Sequence, residues 1–360
     1  MYHIVGFLIF IPLLASLFFD NIKNSKSILS IFLFFLFIIA SIRYNIGTDY
    51  HNYFVFFEKV KAFSFQNNYY TENKWFEFEP LFHYTVAILK NFISNPIFFF
   101  SFWALITLAL ISKGIKKISP HYMLSLFIFY CHFYSNYTFN GIGQGIVMGI
   151  FLCSLPYIIS RKLFLVSFIS FLSILIHKAG LLILLAYFMS LFKFKRRSFL
   201  ILILLSSILI WRFGIGEKIF TSIALQFPLY FPYLKAYVEM FYYEHSIVSV
   251  IQRLFIVVPL IYYFPQLSKD EKFNKLFSIY FIGMLIYFIF GFFGPFMTRI
   301  NMFFRILEVI LIPILYNSLK SKQQQLVVQI IILVWSFVVL SGFYYNDAFY
   351  PFNTIFGDIF

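Results

Sequence analysis

The sequence predicts an all-α, polytopic integral membrane protein, and three observations carry that prediction. The 360 residues are 61% hydrophobic, 24% aromatic and only 12% charged, with a mean hydropathy of +0.86, which leaves too little polar surface to coat a soluble globule. The apolar residues come in repeated runs of helical length. In hydrocarbon each such run must bond its own N–H and C=O groups, which makes it a helix, whereas a transmembrane barrel would show short alternating strands. The cations, finally, lie in small clusters between the runs. The connectors holding Lys23/Lys26, Lys113/Lys116/Lys117, Arg161/Lys162, Lys193/Lys195/Arg196/Arg197, Lys269/Lys272/Lys275 and Lys320/Lys322 carry 16 of the 28 basic residues. Basic connectors face the cytoplasm. The net charge of +14 is therefore a topological pattern, and no nucleic-acid partner is expected.

Spans are expected at about 3–19, 28–42, 96–112, 121–138, 141–159, 163–176, 179–192, 198–213, 248–264, 274–293, 296–316 and 326–342, all within one transmembrane domain, 1–360. Met1 to Asp20 lack the basic start and small-residue cleavage site of a signal peptide, so they read as a retained span. The run 81–95 is interrupted by Lys90 and Asn91. If it crossed, every later basic connector would lie outside, so a re-entrant or interfacial segment is expected. The runs 163–176 and 179–192 are each shorter than the usual ~20 residues, which suggests a thinned, funnel-like region around His177. A single long tilted helix there is the competing picture, and it would invert everything downstream.

About twelve spans place both termini outside, with two large extracytoplasmic loops, 44–79 and 214–247, and an outer tail, 343–360. Ten of the fourteen acidic residues fall on this face, with Trp75, Tyr230, Tyr233, Tyr237, Tyr242 and Tyr243. Carboxylates and aromatic rings are what a carbohydrate would meet, although bilayers also favour an interfacial aromatic belt.

Polar side chains in or beside spans are costly and mark candidate sites. Cys131 and Cys153 lie in apolar runs without CxxC or Cys/His spacing, so neither a disulfide nor zinc is expected. The first polar cluster is Arg43-Tyr-Asn-Ile-Gly-Thr-Asp-Tyr-His-Asn-Tyr53, the rim of a site where the bundle meets water. Asn140 and Gln144, four apart, are expected on one helix face, with Gly141, Gly143 and Gly145 allowing close approach. The bland alternative is a small-residue packing face with amide glue. His177 is a candidate general base or a hydrogen-bonded structural group. Arg253, Arg299 and Arg305 offer cationic forks, but Glu308 is within reach of Arg305, so a structural ion pair accounts for it equally well. Arg299 has no such neighbour in sequence, and its planar guanidinium suits pyrophosphate oxygens.

Arg43-Tyr-Asn-Ile-Gly-Thr-Asp-Tyr50 with Tyr53, Glu79-Pro80, Asn140-x-x-x-Gln144, His177 after a basic turn, and Thr298-Arg299-Ile-Asn occur in an order that resembles the EpsG-type branch of the Wzy polysaccharide polymerases. The resemblance covers most of the chain and ends at Tyr350-Pro-Phe-Asn-Thr354. It implies a GT-C-like, metal-independent glycosyltransferase of the bacterial inner (cytoplasmic) membrane, with its site facing the periplasm or outside. Such an enzyme joins undecaprenyl-pyrophosphate-linked oligosaccharides without a cofactor, beside membrane lipid and a chain-length regulator as partner. His177 and Asp49 would be catalytic. Arg43, Arg253, Arg299, Arg305, Asn140, Gln144, Tyr50, Tyr53 and Glu79 would bind substrate or pyrophosphate. Members commonly carry Arg-Gln where this chain has Gly143-Gln144, which shifts the pyrophosphate to the other arginines. A flippase or other transporter, which should show an internal repeat, and a membrane O-acyltransferase remain the alternatives.

Overall fold

The computed structural model describes residues 25–64, 78–224, 247–344, 346 and 352–358. The described residues are overwhelmingly helical, and they divide between two compact units, one holding Met1–Leu184 and Leu319–Phe360 and the other Leu185–Ser318.

In the first unit, α1 (Lys26–Ile42) starts where Ser25 accepts the N–H of Ile28, and it buries Leu29, Phe32, Leu36 and Ile39 along one face. Two short helices follow. The first, α2 (Tyr50–Lys59), buries Tyr50, Tyr53, Phe56 and Phe57, and the second, α3 (Pro80–Lys90), starts on a proline. Lys90 joins them, its Nζ donating to the carbonyls of Phe57 (2.6 Å), Glu58 (2.7 Å) and Val60 (2.7 Å) at the end of α2. Then comes α4 (Pro96–Ile118), with Asn95 as N-cap and Lys116 and Lys117 in its last turn. It packs against α1 and against α6 (Ile142–Ile159), reached through α5 (Tyr122–Phe129) and an eleven-residue π-helix (Tyr130–Asn140). α7 (Leu163–Ile174), a 3₁₀ turn at Lys178–Gly180 and the first residues of α8 (Leu181–Met189) come next, the remainder of α8 from Leu185 being assigned to the second unit. After the second unit, α16 (Lys322–Tyr344) leads to a hairpin of β1 (Asn353–Thr354) and β2 (Gly357–Asp358).

The second unit contains α9 (Arg197–Arg212), α10 (Ile215–Ala224), α11 (Ile247–Tyr262), α12 (Phe264–Leu267), α13 (Glu271–Ile289), α14 (Pro295–Arg305) and α15 (Glu308–Ser318). α13 packs on both α14 and α9, and α11 on α15.

The all-α membrane class holds, but the count of twelve spans does not. Among the described residues four helices are long and apolar enough to cross: Pro96–Ile118, Ile142–Ile159, Glu271–Ile289 and Lys322–Gly342. The number reaches six if each of two bent pairs counts as one span, the breaks being 70° between α9 and α10 and 40° between α14 and α15. Lys26–Ile42, Leu163–Ile174, Lys178–Met189 and Ile247–Tyr262 are apolar but shorter. The expected span 296–316 is interrupted at the turn after Arg305, while the expected span 198–213 ends, as read, before Gly214, which has a positive φ. The expected span 3–19 lies outside the described residues. The two outer loops also need correction, because α2 occupies part of 44–79 and α10 part of 214–247. The segment 81–95 is mostly α3, whose eleven residues would run roughly 16 Å, about half a hydrocarbon core.

Candidate functional site

The motif that opens the first polar stretch is held from three directions. Arg43 is the C-cap of α1 and has an extended backbone. It bridges to Thr354, with Tyr44 N–H donating to Asn353 O (3.0 Å) and Ile355 N–H to Ile42 O (3.0 Å), so the C-terminal hairpin is a strap over the motif. Arg43 as a whole is 1% exposed. Nη1 donates to Ala40 O (2.6 Å), Nη2 to Phe139 O (3.1 Å), and the Phe100 and Phe139 rings lie 4.8 and 5.0 Å from it. Burial draws its pKa down to about 10, which still leaves it charged at neutral pH. A fork committed in this way joins the end of α1 to the end of the π-helix. It does not face open space, so the expected grip on pyrophosphate gains no support from its placement.

Asn140 fixes the next residues. Its Oδ1 accepts the backbone N–H of Asp49 at 2.7 Å, and its amide nitrogen donates to Thr48 Oγ1 at 2.8 Å. Gly47 makes this possible: it has φ +99°, and a Cβ there would stand 3.0 Å from Asn140 Oδ1. Asn140 closes the π-helix and Gln144 sits in the first turn of α6, with Gly141 between them. The two therefore do not share one helix face, as their spacing had implied. Asp49 is the N-cap residue of α2, yet its side chain makes no capping hydrogen bond. It is half-buried, with Thr48 Oγ1 3.4 Å from its Oδ1.

Tyr50 stacks on Phe100 with ring centroids 4.5 Å apart. Tyr53 is buried, and the backbone N–H groups of Gly143 and Ile142 face its hydroxyl, which places it against the start of α6. Burial raises its pKa, so the phenol stays protonated. Both rings belong to an aromatic core with Phe56, Phe82, Phe99 and Trp103. Packing and orientation are therefore their evident duties.

His177 meets the same place from α7. A Cβ at Gly143 would lie 3.1 Å from His177 Cδ2, so the imidazole rests on the first turn of α6. His177 Nδ1 accepts the Ala179 N–H at 3.1 Å, capping the 3₁₀ turn. With that lone pair engaged, the neutral ring carries its proton on Nε2, where it can donate but not accept. In this tautomer His177 is a donor, and acting as the expected general base would require the proton on Nδ1 and the Ala179 bond opened. Glu79 accepts the next N–H, that of Lys178, at 2.7 Å, while Leu81 N–H donates to Leu175 O at 2.8 Å. Motif loop, Glu79, Asn140, Gly143 and His177 converge around the N-terminus of α6.

In the second unit the arginines divide by exposure. Arg305 donates from Nε to Glu308 Oε1 at 2.7 Å and from Nη2 to Oε2 at 3.1 Å, a two-pronged buried pair. Tyr280 Oη donates to the same carboxylate at 3.3 Å. The structural reading of Arg305 is therefore the one its geometry supports. Arg253 is also buried: Nε donates to Asn301 Oδ1 (2.7 Å), Nη1 to Ser249 O (2.8 Å), and the Tyr287 ring lies 3.8 Å away. Arg299 alone of the three is exposed. The sequence does not single out the partners Phe100, Phe139, Tyr280 and Tyr287, which are ordinary residues of apolar segments, whereas Thr48, Asn301 and the tail ending at Thr354 lie within its motifs.

No curated protein and no solved structure matches this chain. A family model described as the EpsG family matches residues 26–354, running from the first turn of α1 to the strap residue that pairs with Arg43. By that span of agreement, the chain belongs to the EpsG family.

Proposed function

We propose that the chain is a polysaccharide polymerase, a glycosyltransferase that joins undecaprenyl-pyrophosphate-linked oligosaccharide repeat units at the outer face of the bacterial cytoplasmic membrane. The observation that carries this reading is the convergence of Asp49, Glu79, Asn140 and His177 on the start of α6, from segments far apart in sequence. Family membership supports the polymerase class.

In the reaction a sugar hydroxyl of one lipid-linked unit attacks the anomeric carbon of another. The new C–O bond forms as the bond to the lipid diphosphate breaks, and the hydroxyl proton must go to a base. Asp49 takes that role: its carboxylate is half-buried, makes no capping bond, and is oriented by Asn140 through its own backbone N–H. His177 supplies Nε2–H as a donor to substrate or departing oxygen, and Glu79 keeps the His177 turn in register. Arg299 is the anion-binding candidate of its own unit, because it is exposed to an incoming anion while Arg253 and Arg305 are buried.

The test is the surface polysaccharide of a deletion strain complemented with wild type, Asp49→Asn, His177→Ala or His177→Gln. Wild type should restore a ladder of chain lengths, and Asp49→Asn and His177→Ala should leave single repeat units, with His177→Gln intermediate because it keeps one donor. Long chains in both Asp49→Asn and His177→Ala cells, at normal protein levels, would overturn the assignment. Loss of all repeats in the deletion strain itself would identify a flippase instead.

A further inference from the structure

The first unit carries a groove that the polymerase reading does not use. It lies between α1 and α4 at the ends remote from the Arg43 motif, has a volume of about 660 Å³, and is lined by Lys26, Lys113, Lys116 and Lys117 together with Phe34 and Leu105. Its lining contains no acidic residue. Phe34 and Leu105 are 59% and 53% exposed, so the groove wall is apolar and open at the side. The four amines gather at one end because α1 and α4 pack together with Lys26 in the first turn of one and Lys113–Lys117 in the last turns of the other.

The dimensions identify the occupant. The groove runs along α1 from Lys26 to Phe37, which is roughly 16 Å at helical rise. That is close to half of the ~30 Å hydrocarbon core, the depth of one leaflet. A cationic mouth above an apolar trough of that depth fits a phosphate head with acyl chains below it, and the lysines lack any lining carboxylate to neutralise them. Residues 1–24, the other chemistry able to cover apolar wall, bring a single acid, Asp20, against four amines. We propose that this groove binds an anionic glycerophospholipid of the leaflet that the lysine end faces, at a place distinct from the candidate polymerase site.

The experiment titrates the purified full chain in detergent with phosphatidylglycerol, phosphatidylcholine or inorganic phosphate, and reads bound lipid by native mass spectrometry. Phosphatidylglycerol should remain bound where phosphatidylcholine does not, and inorganic phosphate should not displace it. The triple variant Lys113→Gln/Lys116→Gln/Lys117→Gln should weaken retention about 100-fold, or roughly fivefold per lysine. Leu105→Trp, which fills the trough and keeps the charges, should also lose the lipid. Equal binding of phosphatidylcholine, or unchanged retention in the triple variant, would overturn the proposal. So would a wild type that binds no lipid while Leu105→Trp lowers its melting temperature, since the trough would then be covered by the chain itself. All four positions are solvent-facing or half-buried, so folding is preserved.

Discussion

A guanidinium held by two carbonyls and flanked by two phenyl rings cannot also grip a diphosphate without leaving them, and Arg43 is in that position. Lysine at this place would keep the charge but lose the planar fork that reaches Ala40 and Phe139 together. Arg43→Lys should therefore destabilise the protein by about 2–4 kcal/mol, the loss of one or two charge-assisted bonds with the remaining carbonyl unsatisfied. A lowered melting temperature of the detergent-purified variant would register it; an unchanged melting temperature with lost polymer would instead return Arg43 to the substrate. Part of this residue-level picture was legible beforehand. The cluster 43–53, Asn140, His177 and Glu79 stood out as polar groups beside apolar runs, and all of them meet at α6. Their individual duties were not legible. Whether an arginine faces a ligand or a carbonyl depends on backbone brought from Phe139, 96 residues away, and which imidazole nitrogen carries the proton depends on the turn at Ala179.

Element starts were easier to read than element breaks. Ser25 and Asn95 accept the N–H groups that the first turns of α1 and α4 leave orphaned, and Pro80, Pro96 and Pro295 sit where a missing N–H costs nothing. Breaks inside apolar runs carry no such mark, because a helix buried on all sides has no polar stripe whose phase could slip visibly. The π-helix before α6, buried along nearly its whole length, escapes a sequence reading for that reason, whereas at the bend between α14 and α15 the polar pair Arg305 and Glu308 reads equally well as an ion pair within one continuous helix. At the bend the ion pair itself is the device: Arg305 ends one helix, Glu308 begins the next, and their two hydrogen bonds span the 40° turn. Arg305→Ala would leave a fully buried carboxylate with Tyr280 as hydrogen-bond donor and Arg253 within electrostatic reach, a loss of about 3–5 kcal/mol. The double variant Arg305→Met/Glu308→Gln removes both charges and should be milder than the single one. Melting temperatures of the two proteins decide the matter: if the single variant were as stable as wild type but polymer-deficient, Arg305 would belong to the diphosphate instead of the bend.

At the scale of the whole molecule the composition decided the class, and the spacing of basic clusters proposed a topology that the helix lengths do not simply reproduce. Counting apolar runs overestimates crossings, since α7 and α8, at twelve and nine residues, are too short alone for a ~30 Å core. Charge distribution is a guide independent of run length, because it acts during insertion and does not depend on how a helix later bends. In the first unit that distribution is polarised along single helices. α1 runs from Lys26 to the Arg43 motif, and α4 from the aromatic core at Phe99 and Phe100 to Lys116 and Lys117. The two ends of one helix pair therefore belong to opposite faces of the membrane if both helices cross it. In a background with Cys131→Ser and Cys153→Ser, a cysteine at Asp49 should react with an impermeant maleimide added outside intact cells. A cysteine at Lys117 should react only after the membrane is opened. The reverse pattern would invert the topology and put the candidate site on the cytoplasmic side, where lipid-linked repeat units await export. Labelling of both from one side would mean that α1 and α4 do not cross, which would remove the outer-face polymerase reading with them.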